Sequence, residues 1–277
     1  MTYEEFCWKK YQEVYNQKFA ALHLNNEEKK EREAQRTAIR DTTIEALKQY
    51  ETIEPADIWK SIYGAHLSRK AGVALPMETV HRVISADNSW AKSSGHAFEE
   101  MIKILVNESL DAHGIKIYLQ RDLRRLIQMR QLDNEVRDIS WIKEQTKSSN
   151  FDLYISVLHN GKRYVYGCIQ SKTSIRDRVT RDREPSENAM SAYFWSVAIV
   201  MDGDFLRLPK FKEMVNGGGH SYPRNGWHGL YVFSEQYSDD RIYPININLN
   251  IFSEHAIKAA NHWLTQRQWF NRDWRPT

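Results

Sequence analysis

The sequence predicts an α/β chain in two parts: a helical N-terminal region, then a domain that mixes strands with helices. Three observations carry this reading. Four helical segments without strands open the chain. At mid-chain, two β-rich runs flank Asn160-Gly161, a strong hairpin signal. The composition, 41% hydrophobic and 12% aromatic over 277 residues, sustains a buried core and excludes broad disorder.

The elements follow in order. Residues 3–24 place Phe6, Val14, Phe19 and Leu22 at roughly helical spacing. Residues 26–50 begin highly charged and gather Ile44, Leu47 and Tyr50 towards their end. Pro55 suits the first turn of a helix carrying Ile58, Trp59, Ile62 and Leu67, with Gly72 as its stop. A fourth helix fits residues 77–91. Ser93-Ser94-Gly95 then opens a patterned helix lined by Phe98, Met101, Ile102, Leu105 and Leu110, ending at Gly114. Residues 115–119 read as a short strand and 121–147 as one helix with a cationic face. Residues 151–158 and 163–170 form the hairpin strands. An apolar helix is expected over 186–201, short strands at 230–234 and 243–249, and a closing helix over about 254–270. Gly217-Gly218-Gly219 begins a loop that reads as flexible. The expected division is a helical domain over 1–90 and a second domain over 91–277.

Composition also excludes function classes. No run of about 18 apolar residues exists, so no ordinary transmembrane helix is expected. The opening MTYEEFCWKK lacks the basic-then-apolar pattern of a signal peptide. Two cysteines, Cys7 and Cys168, are too few for a disulfide framework or a four-thiolate zinc site. A reduced, cytoplasmic protein is expected. The net charge of +3 is uninformative until localised. Residues 160–185 hold seven basic side chains (Lys162, Arg163, Lys172, Arg176, Arg178, Arg181, Arg183) against Asp177, Asp182 and Glu184, a local +4. Clustered basic charge is a footprint for nucleic acid, and equally the mark of a salt-bridged, solvated face.

The chemistry-bearing feature is Asp152, opening one hairpin strand, and Gln170-Ser171-Lys172, ending the other. A metal-dependent nuclease needs a carboxylate for Mg²⁺, which prefers hard oxygen ligands, and a cation near the attacking water or scissile phosphate. Asp on one strand and (Asp/Glu)-x-Lys on the next is the pattern of the PD-(D/E)xK nucleases. Here the position two before the lysine is the neutral Gln170. A second carboxylate then has to come from elsewhere: Glu99 or Glu100 on the upstream helix, or Glu184 or Glu187 downstream.

The run Lys172-Thr-Ser-Ile-Arg176-Asp177-Arg178 and the stretch SSGHAFEEMIKILVNESLDAHGIKI resemble the BsaWI/AgeI-like type II restriction endonucleases, whose targets contain CCGG. The resemblance covers about residues 90–200. It implies a mixed central sheet flanked by helices and Mg²⁺-dependent hydrolysis of duplex DNA at a palindrome. It implies catalytic roles for Asp152, Lys172 and Glu99, with Mg²⁺ held by Asp152 and Glu99. It further implies that Arg176, Asp177 and Arg178 read the CCGG core; arginine suits guanine O6 and N7, and aspartate the cytosine amino group. That group's second catalytic glutamate lies a little over a dozen residues past the lysine. Glu184, 12 residues on, and Glu187, 15 on, bracket that spacing without matching it. A palindromic target implies at least a homodimer. Competing readings are a non-specific or repair nuclease of the same superfamily and a non-catalytic DNA-binding protein.

One geometric requirement follows. Side chains on a strand alternate faces. An uninterrupted register from a two-residue Asn160-Gly161 turn sets Asp152 opposite Ile169 and sends Lys172 to the other face. A three-residue turn or a bulge shifts the register by one, sets Asp152 opposite Gln170, and brings Lys172 to the same face. The nuclease reading requires that shift. Elsewhere, His255 and His262 are too far apart on one helix to chelate one ion, and His159-Asn160 lacks the second half of a His-Asn-His site. Trp263, Trp269, Phe270 and Trp274 read as core or dimer contacts.

Overall fold

The computed structural model describes the chain except Asn25, residues 72–76, Ser149, residues 175–178 and Thr277, and except the side chains of residues 71, 77–84, 88, 91, 92, 174, 179, 180 and 268. Contacts divide the chain between Met101 and Ile102; the boundary read from sequence was at 90/91.

The first unit is helical. Helix α1 (Tyr3–Ala21) begins with a capping box, in which the Thr2 hydroxyl accepts from the Glu5 amide and the Glu5 carboxylate accepts from the Thr2 amide. Asn26 caps α2 (Glu27–Gln49) through the Lys29 amide. Helix α3 (Pro55–Ala71) starts at its proline; Gly72, its expected stop, lies outside the described residues. The buried residues of this unit include the small Ala34, Ala38, Ala46 and Ala65 and the larger Tyr11, Tyr15, Ile39, Ile58 and Ile62. Tyr11 Oη lies 2.8 Å from His66 Nδ1 and His66 Nε2 donates to the Ala86 carbonyl at 2.9 Å, while burial lowers the pKa of this imidazole.

Two expected helices are one: α4 runs from Met77 to Leu110 and crosses the unit boundary. Ser93 and Ser94 do not open a helix. They are 3% and 2% exposed, small side chains packed mid-helix against neighbours.

The second unit is built on a six-stranded sheet in sequential order: β1 (Ile115–Leu119), β2 (Leu153–His159), β3 (Lys162–Ser174), β4 (Trp195–Asp202), β5 (Gly229–Val232) and β6 (Ile242–Pro244). The first two pairings are antiparallel and the remaining three parallel. The sheet is therefore mixed. On one face α9 (Asn250–Gln266) contributes Phe252, against Trp195 and Tyr231. On the other, Leu123 of α5 (Gln120–Gln128), Ile142 of α6 (Val136–Gln145) and Ala189 of α7 (Val179–Ser191) pack with Tyr154, Val165 and Cys168. A further cluster joins Met214 and Val215 of α8 (Pro209–Asn216) to Ala198, Trp227 and Leu230.

Several sequence-based elements are corrected. The helix expected over 186–201 is α7 followed by strand β4. All but the last residue of β4 are buried, because helices cover both faces. Its apolar run therefore lacks alternation and cannot be told from a helix by period. The helix expected over 121–147 is two. Arg130 takes a left-handed φ of 54°, and the Gln131 amide closes back on the Leu126 carbonyl. The intervening Asp133 and Asn134 then act as a false strand. Asp133 exchanges bonds with the Arg163 amide and carbonyl, and Asn134 does the same with Val165. They cover the edge of β3 where no strand pairs it. The strand expected over 243–249 is the shorter β6, which ends at Pro244; as the edge strand it tolerates a proline there, and the Ile245 amide still donates to the Val232 carbonyl. The segment after Gly217 is held by bonds from Gly218 and Gly219 to the Pro223 and Tyr222 carbonyls.

Candidate active site

The hairpin brings the pattern's residues together through a register shift. The Asn160-Gly161 turn has two residues, both at positive φ, and pairs His159 with Lys162. Between Ile155 and Ser156 the register slips: Ser156 faces Val165, but Ile155 faces Gly167. Tyr166 is the extra residue, and its hydroxyl reaches the α9 face at the Ala256 carbonyl. Beyond the bulge Leu153 faces Ile169, so Asp152, Gln170 and Lys172 share one face. The shift that the nuclease reading requires is present.

Asp152 Oδ2 accepts from the Ser171 amide at 2.7 Å and lies 3.9 Å from Lys172 Nζ. A further carboxylate joins them. Asp182, in the first turn of α7, puts Oδ1 3.4 Å from Lys172 Nζ. The three side chains are 21–26% exposed, partly desolvated yet open to a ligand.

Gln170 is 1% exposed and fully engaged. Its Nε2 donates to the Asn150 and Asp182 carbonyls at 3.0 and 2.8 Å, and its Oε1 accepts from the Trp227 indole at 2.7 Å.

Of the two downstream glutamates, Glu187 faces away to Arg183 at 2.8 Å and Arg272 at 2.6 Å, fastening the C-terminal segment to α7. Glu184 is exposed on the same helix. Glu99 belongs to the first unit, where it pairs with His96 at 3.3 Å and raises that imidazole's pKa by the hydrogen bond. Glu100 is paired there with Arg36 and Arg40. Arg176, Asp177 and Arg178 lie outside the described residues.

Sequence reading missed Asp182 as a site residue and counted it only in the charge balance. The available signal was positional: with Gln170 neutral, an acid in the first turn of the next helix can turn back towards the lysine.

The donor set suits a hard divalent ion. Among the described residues no cluster of three or more His, Cys, Asp or Glu side chains forms. Mg²⁺ needs no such cage, because one or two carboxylates with water and substrate phosphate suffice. Asp152 and Asp182 supply two.

Comparisons with known proteins agree with this architecture. The model of the family described as BsaWI restriction endonuclease type 2 matches residues 132–269. The chain is 55% identical to the BsaWI of a solved pre-specific BsaWI–DNA complex, covering 99% of this chain and 98% of that one, with a TM-score of 0.71. It shares the fold of AgeI in a solved specific AgeI–DNA complex at 15% identity, covering 91% of each chain, with a TM-score of 0.62. A search of curated proteins returns no match. The class is thereby defined: a type II site-specific endonuclease on a mixed α/β fold. Within that class the chain belongs to the BsaWI restriction endonuclease family, as a relative of BsaWI rather than the same protein.

Proposed function

We propose that this enzyme cleaves duplex DNA with Mg²⁺ at a short palindrome containing CCGG, as a homodimer acting in the cytoplasm. The observation that carries the catalytic part is the convergence of Asp152 and Asp182 on Lys172 at one end of the bulged hairpin. In this reading Asp152 and Asp182 hold Mg²⁺, and Asp182 takes the part expected of Glu99, Glu184 or Glu187. Bound there, Mg²⁺ supplies a water of lowered pKa and positive charge for the phosphate oxygens. Asp152 is oriented by the Ser171 amide, so its carboxylate is fixed before DNA arrives. Lys172 keeps its ammonium between the carboxylates, where it can donate to the attacking water or the charge growing on the phosphate.

The CCGG target rests on the Arg176-Asp177-Arg178 run, whose side chains match guanine and cytosine edges, and on the relation to BsaWI. A two-fold enzyme matches a two-fold site.

The test is digestion of plasmid DNA of known sequence, with Mg²⁺ or EDTA, by wild type, Lys172→Ala, Asp182→Asn and Glu99→Gln. Discrete Mg²⁺-dependent fragments ending at CCGG sites, lost in the first two variants, are expected. A smear would favour a non-specific nuclease, and bound but uncut DNA a binding protein. Loss of cleavage in Glu99→Gln but not in Asp182→Asn would return the second carboxylate to Glu99. Light scattering at twice the chain mass is expected for the dimer.

A further inference from the structure

Gln170 stands where the superfamily pattern has its acid, and its amide is used in full. Both Nε2 hydrogens go to carbonyls, those of Asn150 and Asp182, and Oε1 receives an indole N–H from Trp227. The partners fix which end is which: carbonyls only accept and an indole only donates, so a flipped amide would oppose all three. The three partners lie on three segments. Asn150 sits two residues before Asp152, Asp182 lies in the first turn of α7, and Trp227 precedes β5. Helix α7 also contains Pro185, which offers no N–H to the preceding turn and crowds its carbonyls. The bond lost there is the one to the Arg181 carbonyl, and the Gln170 amide ties down the adjacent Asp182 carbonyl in the same turn.

We propose that Gln170 is a positioning residue that hangs both carboxylate-bearing segments from one buried amide, so that a neutral side chain is required where the pattern places an acid. This rests on the reading of Asp152 and Asp182 as the metal-holding carboxylates. An ionised glutamate at 170 has no hydrogen to give, and would set its oxygens against two carbonyls. Restoring the acid of the pattern therefore damages this enzyme.

The experiment compares full-length wild type, Gln170→Glu, Gln170→Met and Asp182→Asn on a duplex carrying the target. Methionine keeps the volume without hydrogen-bonding groups or charge, and decides the matter if the glutamate variant fails to fold. Calorimetry measures Ca²⁺ affinity of the DNA-bound enzyme, single-turnover cleavage is followed against Mg²⁺ concentration, and DNA affinity is measured in EDTA. Both Gln170 variants are expected to bind DNA in EDTA as wild type does. Their Ca²⁺ affinity is expected to fall, and the half-saturating Mg²⁺ to rise, by about tenfold or more, as for lost supports of metal ligands. Wild-type Ca²⁺ affinity and Mg²⁺ dependence in Gln170→Met, with both lost in Asp182→Asn, would overturn the positioning role alone. Wild-type behaviour of Asp182→Asn would overturn the underlying site reading instead.

Discussion

Gly167→Ala perturbs the crowded position next to the bulge that brings Asp152 and Lys172 to one face. Gly167 lies just past the bulge, between β2 and β4. A methyl group there would sit 2.8 Å from Ile155 Cγ2, 2.8 Å from the Trp195 carbonyl oxygen and 3.1 Å from Trp195 Cβ. All three are inside ordinary contact. The Ile155 methyl can turn away, but the Trp195 oxygen is backbone in a fully covered strand. Overpacking of this kind costs about 1–3 kcal/mol. The stiffer unfolded chain returns about 0.4–1 kcal/mol, so destabilisation wins. Central values leave a net loss of about 1.3 kcal/mol, and for a chain of this size each kcal/mol moves the melting temperature by about 2–4 °C, giving a drop of about 3–5 °C. Relief by parting β3 from β4 also moves Gln170 and Lys172 relative to Asp152, and misplacement near 1 Å costs about a hundredfold in rate. Thermal unfolding followed by circular dichroism and single-turnover cleavage at a temperature where both proteins are folded are the assays. A melting temperature within about 1 °C of wild type, with undiminished cleavage, would refute the argument that position 167 has no room for a side chain.

Other expectations follow from the packing. Asp138, 1% exposed, is paired with Arg267 and, at 3.8 Å, with the exposed Arg137; Arg267→Ala leaves the buried carboxylate only that long contact and should cost about 3 kcal/mol in urea unfolding. Asp138→Asn in the same background should restore part of it, and no restoration would argue that Arg267 acts through its stacking on Trp263 instead. Burial holds His228 down at about 3 and His255 at about 4, and lowers His66 as well. Their folded values lie below the ordinary value near 6.5, so the unfolded chain takes up protons first. Their contribution is complete above about pH 6.5 and is lost as pH falls towards 4, at up to about 1.4 kcal/mol per pH unit for each fully buried imidazole. Urea midpoints that stay level from pH 7.5 to 5 would contradict this. Glu187→Gln should leave cleavage near wild type while exposing the chain around Arg272 to trypsin, because that carboxylate fastens the C-terminal segment. A severe loss of cleavage in the intact protein would return Glu187 to the metal site.

The legible part of this protein was local. Asn160-Gly161 announced the hairpin because a two-residue turn with both φ positive selects those residues. The helix start at Pro55 was readable because the fixed φ of proline suits a first turn. Asp152 and Lys172 could be named because the hairpin carries both. β4 was misread because a strand covered on both faces has no period to betray it.

By itself, then, the sequence determined the α/β class, the hairpin and the two pattern residues it carries. It also implied that their pairing needs a register shift. Only the tertiary structure decided where that shift falls, namely at Tyr166, whose hydroxyl is drawn to α9. Only there does Asp182 come within reach of Lys172, and Glu187 turn to Arg183 and Arg272. The physical reason is range. Turns and caps are settled by neighbours along the chain, whereas a carboxylate's role depends on which groups packing brings to it from segments tens of residues away.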